Sequence, residues 1–232
     1  MCSMSDCGCR WDNEKGKRIR CSEHQVMQHP PVRPRLHAAK PELVLKWGNE
    51  ISDPLARALY FFLYLTGARI NEATDFSKNR LVYKEDRGGY EIYLKTLKQR
   101  STVPVNRKVV IPINTALCHE KEMSKIVLEY LSSFQEFDHP FKKWGNMSEY
   151  LKRHLEITAE ATVRRGNQYS DTIITKKFNP HYLRHCRATH LTDIYNIPNI
   201  ALCHFFGWKK MDMALRYTQT SDLWSSFNKR VG

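Results

Sequence analysis

The stretch "HYLRHCRATHL", His181 to Leu191, sets His181, Arg184 and His185 three and four residues apart. On a helix those three share one face. Asn179 stands ready to cap that helix, and Pro180 suits its first helical position. Three cationic or titratable groups at a helix start repel one another and oppose the positive end of the helix dipole, so the arrangement calls for an anion. Two further groupings stand apart from their surroundings. In "TGARINE", Arg69 follows a glycine at a helix end and Glu72 lies one turn on. In "FFGWKKMDMALRYTQ", Trp208 is followed nine positions later by Tyr217. Each has a plain structural reading: a local Arg–Glu helix pair, a solvated basic face, a core tryptophan and a core tyrosine.

Composition narrows the anion. The 232 residues carry 37 Lys+Arg against 24 Asp+Glu, a formal charge of +13. That excess favours a polyanionic partner, nucleic acid before an acidic membrane surface. A hydrophobic content of 41% with 26% charged residues describes a globular chain with ample core, in one large domain or two small ones. No stretch reaches the roughly 18 apolar residues of a membrane span, and "MCSMSDCGCRWDNEKGKRIRC" has no signal-peptide core. A cytoplasmic location is therefore expected, with the seven cysteines as thiols or metal ligands rather than disulfides.

The elements that must position these groups are legible from periodicity. "DPLARALYFFLYLTGAR" has Leu55, Leu59, Phe62 and Leu63 at helical spacing, Asp53 as cap, Pro54 in the first turn and Gly67 at the end. "RINEATDF" starts a short helical segment. Three β-rich runs follow, near Leu81–Tyr83, Tyr90–Leu94 and Lys108–Ile113, with a turn at Gly88-Gly89 and a basic connection before the last strand. "EKEMSKIVLEYLSSF" returns to helix with Met123, Ile126, Val127, Tyr130, Leu131 and Phe134 on one face. "SEYLKRHLEITAEATVRR", "PHYLRHCRATHLTDIY" and "IPNIALCHFFGW" read as further helices, and "MDMALRYTQ" follows before a short tail. The expected fold is mainly α with a small three-stranded antiparallel sheet.

Cys118, Cys186 and Cys203 sit in helical or apolar context and read as core packing. The other four cysteines crowd the first 21 residues. Cys7, Cys9, Cys21 and His24 offer the four donors of a tetrahedral zinc site, with Gly8 and Gly16 for turns, and Cys2 could replace any one of them. An unmetallated arm is the alternative. Residues 28–40, "QHPPVRPRLHAAK", read as a proline-rich linker, either tracking a phosphate backbone through Arg33, Arg35 and Lys40 or serving as a tether. Three regions result: a cysteine-rich basic arm at 1–27, the linker at 28–40 and a globular domain at 41–232.

In order along the chain, the three groupings resemble the tyrosine recombinase (phage-type integrase) family. Its catalytic domain carries an arginine in a T-G-x-R-x-x-E box, a hairpin lysine, an H-x-x-R-H box, a His or Trp after a glycine, and a nucleophilic tyrosine in an "RYT"-like segment. Here these fall on Arg69, Lys95, His181 with Arg184, Trp208 and Tyr217, covering about Pro41 to the C-terminus. The compact form and the "GW…RYT" segment are similar to integrases of archaeal mobile elements. Three departures stand out: Trp208 where many members have histidine, an N-terminal arm too short for the usual core-binding domain, and an extra basic stretch that leaves the lysine open between Lys95 and Lys98.

The resemblance implies DNA cleavage through a 3′-phosphotyrosyl intermediate, and the residue types suit it. Tyrosine, with a reference pKa near ~10, is only about 0.1% phenolate at neutral pH, so a nucleophilic Tyr217 needs a proton acceptor. His181 is the best candidate. Arg69 and Arg184 can each grip two phosphate oxygens in a fork. Trp208 offers only an N–H donor and packing. Lys95 would protonate the leaving 5′-oxygen. Glu72 would orient Arg69 or Arg184, and His185 would support the helix. No catalytic cofactor is called for, since the arginines supply the charge a metal ion supplies elsewhere.

The implied partner is double-stranded DNA, bound by a homotetramer linked through exchanged C-terminal segments. In the tail, Leu223, Trp224 and Phe227 could serve that exchange or cover the protein's own core. The alternatives are a type IB topoisomerase-like enzyme and a non-catalytic DNA-binding regulator with the same fold.

Overall fold

The computed structural model describes residues 10–12, 17–19, 35–96, 106–113, 115, 117–143, 145–155, 157–164 and 171–218. The chain divides into two units, Met1–Leu36 with Glu160–Ile174, and His37–Ala159 with Thr175–Gly232. In chain order the first elements are β1 (Arg10–Asp12), β2 (Lys17–Ile19), β3 (Arg35–Leu36), α1 (Pro41–Asn49), α2 (Pro54–Thr66) and α3 (Ile70–Thr74). Then come β4 (Leu81–Lys84), β5 (Gly89–Lys95), β6 (Asn106–Pro112), α4 (Cys118–Ser132) and α5 (Met147–Arg153). The last are β7 (Thr158–Arg164), β8 (Asp171–Lys177), α6 (His181–Asp193), α7 (Asn199–Phe206) and α8 (Asp212–Thr218).

In the larger unit α2 is the central helix. Asp53 Oδ1 accepts the Ala56 N–H at 2.7 Å and Pro54 takes the first turn. Every residue from Ala58 to Thr66 is buried, as expected of a helix that is apolar all round. It packs against α4 and α6. The Tyr60 hydroxyl donates to the Val44 carbonyl (3.2 Å) and so pins α1, while the Tyr64 hydroxyl meets His190 Nδ1 on α6 at 2.8 Å.

Strands β4, β5 and β6 form an antiparallel sheet in that order. Along β6 burial alternates: Arg107, Val109 and Ile111 face inward, Asn106, Lys108 and Val110 outward. Helices α6, α7 and α8 close a cluster of Ala188, Leu191, Leu202, Phe206 and Ala214, with Trp208 and Tyr217 packed on it. Mainly helical with a three-stranded antiparallel sheet, the unit has the expected fold class.

Three local readings are corrected. "SEYLKRHLEITAEATVRR" is helical only over Met147–Arg153, where Asn146 Oδ1 caps the Ser148 and Glu149 N–H groups. Its second half is β7, where the β-branched Thr158, Thr162 and Val163 favour the pleated surface of a strand. A second three-stranded sheet, ordered β3-β7-β8, follows from this, and Arg35 and Leu36 of the proline-rich segment pair in it with Thr162 and Ala161. Cys118, read as core, is exposed. It opens α4 off the buried stripe of Glu120, Met123, Ser124, Val127 and Leu131.

In the smaller unit β1 and β2 pair as an antiparallel hairpin, Arg10 opposite Ile19 and Asp12 opposite Lys17. Cys7, Cys9, Cys21, His24, Lys98, Leu223, Trp224 and Phe227 lie outside the described residues. Among the described residues no helix is long and apolar enough to cross a membrane.

Candidate active site

Two helices end on glycines in the left-handed region, Gly67 after α2 (φ 56°) and Gly207 after α7 (φ 64°). Only glycine takes these conformations without strain. Space is short as well: a Cβ at Gly67 would lie 2.3 Å from the Phe206 ring, and one at Gly207 would crowd Thr96 Oγ1 at 3.1 Å and Arg107 Cδ at 3.2 Å. The reversal at Gly67 places Arg69 at the cap of α3. The buried Glu72 carboxylate, one turn on, accepts the Arg69 N–H (3.1 Å) and its Nη1 (2.6 Å).

Glu72 is the hub of the site. Its Oε2 also accepts Arg107 Nη2 at 3.0 Å and lies 4.0 Å from Arg184 Nη1. Burial alone would raise its pKa, but Arg107 and Arg69 overcome that and hold the carboxylate below its ordinary value. Arg107 and Arg184, both buried, grip adjacent carbonyls at the same two helix ends. Arg107 Nη1 donates to Thr66 O (3.2 Å) and Phe205 O, and Arg184 to Gly67 O and Phe206 O (2.7 Å for the latter). Burial, with Arg107 and Arg69 alongside, pulls Arg184 down to about 9, which leaves it charged at neutral pH.

Sequence reasoning missed Arg107, hidden in a basic hairpin. The available signal was its register: it alternates with Val109 and Ile111 on the inward face of β6, where an arginine needs a buried partner.

The aromatic residues are stacked in line. The Arg184 guanidinium carbon lies 4.8 Å from the Phe206 ring centroid and 5.8 Å from that of Trp208. Trp208 stacks on Phe206 at 4.5 Å, and Tyr217 lies parallel to Trp208 at 5.4 Å and 4°. His185 meets the Tyr217 ring at 5.5 Å and that of Tyr182 at 6.3 Å. Tyr217, on α8, thus sits one ring away from Arg184.

His181 is exposed at the first position of α6, and its N–H donates to Asn179 Oδ1 at 3.0 Å. It shares with Arg69, Asn71 and Ser148 an open cleft of about 550 Å³. Lys95, at the end of β5, is 40% exposed with its Nζ 3.8 Å from Asp75 Oδ2. The structure therefore gathers Arg69, Glu72, Arg184, Trp208, Tyr217 and His185, sets His181 on the same cleft as Arg69, and holds Lys95 on the hairpin against Asp75. A buried cationic pair backed by carbonyls, beside a tyrosine ring, suits binding and attack of a phosphodiester. Among the described residues no His/Cys/Asp/Glu grouping could hold a metal ion.

A family model described as "Phage integrase family" matches residues 48–223. No curated protein sequence matches the chain. Among solved structures, XerH site-specific recombinase bound to palindromic difH substrate is 17% identical with a TM-score of 0.54, over 84% of this chain and 52% of that one. XerA recombinase is 17% identical with a TM-score of 0.57, over 87% and 66%. A lambda integrase dimer bound to a COC' core site is 14% identical with a TM-score of 0.52, over 82% and 63%. The chain thus covers only about half to two-thirds of the length of these three structures, whose likeness is one of fold.

Proposed function

Because the chain belongs to the phage integrase family, we propose that it cleaves and rejoins DNA strands through Tyr217. The observation that supports this most is the convergence of Arg69 and Arg184 on one buried carboxylate, with Trp208 and Tyr217 stacked beside Arg184. The Tyr217 oxygen attacks the scissile phosphorus and its proton passes to His181. The bond to the 5′-oxygen breaks, and Lys95 Nζ protonates the leaving oxygen. Arg69 and Arg184 bear the charge that grows on the non-bridging oxygens. His185 braces the tyrosine ring. The phosphotyrosyl bond conserves the phosphodiester energy, so the reverse attack by a 5′-hydroxyl rejoins a strand without ATP.

XerH and lambda integrase were solved on their DNA sites; for this chain we take the working form to be a homotetramer on double-stranded DNA in the cytoplasm. The N-terminal arm is assigned a structural zinc on Cys7, Cys9, Cys21 and His24.

A duplex nicked next to the cleavage site tests the function. Loss of the short 5′-hydroxyl fragment traps a covalent adduct, visible on a denaturing gel with wild-type protein and absent with Tyr217→Phe. An adduct formed by the Phe variant would overturn the nucleophile, and Tyr182 would be the next residue to test. DNA binding with no wild-type adduct on a verified site would favour a non-catalytic binding protein.

A further inference from the structure

A second cleft, of about 660 Å³, shares Ile70, Asn71 and Ser148 with the cleft of Arg69 and His181. The two form one trough across the start of α3 and α5. Beyond the shared residues the lining of the second cleft includes Asp75, His139, Lys142, Lys143 and Asn146. Both lysines are exposed. Lys143 is held in place, its Nζ lying 4.5 Å from the Tyr150 ring centroid. His139 Nδ1 donates to the Phe76 carbonyl at 3.2 Å.

The carboxylates nearby are already committed. Asp75 on the rim takes Arg80 Nη1 at 3.0 Å and Lys95 Nζ at 3.8 Å. Asp53, whose charge feels Lys143, accepts the Ala56 N–H and the Tyr150 hydroxyl, each at 2.7 Å. Apart from Asp75, which is paired with two cations, and the buried Glu72, the charged groups along the trough are cations, arranged on from the candidate catalytic arginine.

We propose that the trough is a phosphate track. On the reading that the substrate is DNA, the strand bearing the scissile phosphate continues from Arg69 into the second cleft, where Lys142 and Lys143 take flanking phosphates. These lysines position the duplex and touch no reacting atom, so their loss should weaken binding without slowing cleavage of bound DNA.

The test compares Lys142→Ala/Lys143→Ala with Lys121→Ala/Lys125→Ala, which removes the same charge from exposed positions on α4. Duplex affinity is measured against salt concentration, and adduct formation on the nicked duplex at saturating protein. Each lost phosphate contact flattens the logarithmic salt slope by about 0.9. The trough variant should therefore flatten it by roughly 1.8, the α4 variant hardly at all, with the adduct rate of the trough variant within about twofold of wild type. An unchanged slope, or equal flattening in both variants, overturns the track. If wild-type protein forms no adduct while the two slopes differ as expected, the cleavage reading falls and the phosphate track stands.

Discussion

Glu72 offers the most direct test of how the site is held. Glu72→Gln conserves size but replaces one oxygen with an NH₂ group. Wild-type Oε1 serves Arg69 Nη1, and Oε2 serves both the Arg69 N–H and Arg107 Nη2. Glutamine has one acceptor oxygen for these partners, so at least one guanidinium must face another donor. Breaking a fully buried ion pair costs about 3–5 kcal/mol because a charge is left without compensation. The Arg69 pair, with its arginine 27% exposed, adds less than about 1 kcal/mol. A loss near ~4 kcal/mol is expected from a total of about 5–15, or roughly 8–16 °C in Tm for a chain of this size.

The same carboxylate sets a pH signature. Arg107 and Arg69 hold Glu72 below its ordinary value in the folded chain. Its contribution is therefore in place above about pH 4.5, where the unfolded carboxyl is ionised, and is lost as pH falls through the lower folded value. Urea denaturation of wild type and Glu72→Gln at pH 7, 4.5 and 3.5 should show a gap of about 4 kcal/mol that narrows below pH 4.5. A gap under about 1 kcal/mol at pH 7, or one that stays constant to pH 3.5, refutes the hub.

Three further outcomes are expected. Lys95→Ala should be slow on ordinary DNA and recover on a 5′-bridging phosphorothiolate, whose thiolate leaves without a proton; recovery in Lys98→Ala instead moves the acid along the hairpin. Burial, reinforced by Arg187, holds His190 down to about 4, against about 6.5 when unfolded. Its neutral form thus contributes stability above about pH 6.5 that is lost as pH falls toward 4, by about 2–3 kcal/mol. Urea midpoints at pH 7 and 4.5 should differ less in His190→Gln than in wild type, and an equal difference rejects this role. Elemental analysis of protein never exposed to chelator should find one zinc per chain, and a content far below one ends the zinc assignment of the arm.

The parts of the fold that the sequence revealed are those governed by one local rule. Helix α2 carries its cap, its proline, its apolar stripe and its terminal glycine within fifteen residues, so its bounds were readable. Strands β4, β5 and β6 likewise follow from short β-rich runs. β7 escaped because the polar, helix-favouring "SEYLKRHLE" runs straight into "TAEATVRR" without glycine or proline to mark the change. Within the site, Arg69, Arg184 and Tyr217 were visible as types at fixed spacing. Arg107 was not, because its value lies in contacts with residues 35 to 98 positions away. The same holds for the parallel stack of Trp208 on Tyr217, which depends on how α8 returns against α7.

How the cations are held explains why one carboxylate suffices. Three arginines meet at Glu72, and a protein could have neutralised each with its own acid. The site would then keep no net charge to attract a phosphate. Here Arg107 and Arg184 are instead held by the carbonyls of Thr66, Gly67, Phe205 and Phe206. Those carbonyls lie at the C-terminal ends of α2 and α7, where the unpaired C=O groups and the helix dipole both favour a cation. Dipoles orient a guanidinium without cancelling its charge, so three arginines against one glutamate leave a formal excess of about two positive charges. A phosphodiester brings one negative charge and develops a second in the transition state. The two glycine caps therefore hold the arginines through geometry: each ends a helix where its last carbonyls can face an arginine, and a side chain at Gly67 would run into the Phe206 ring.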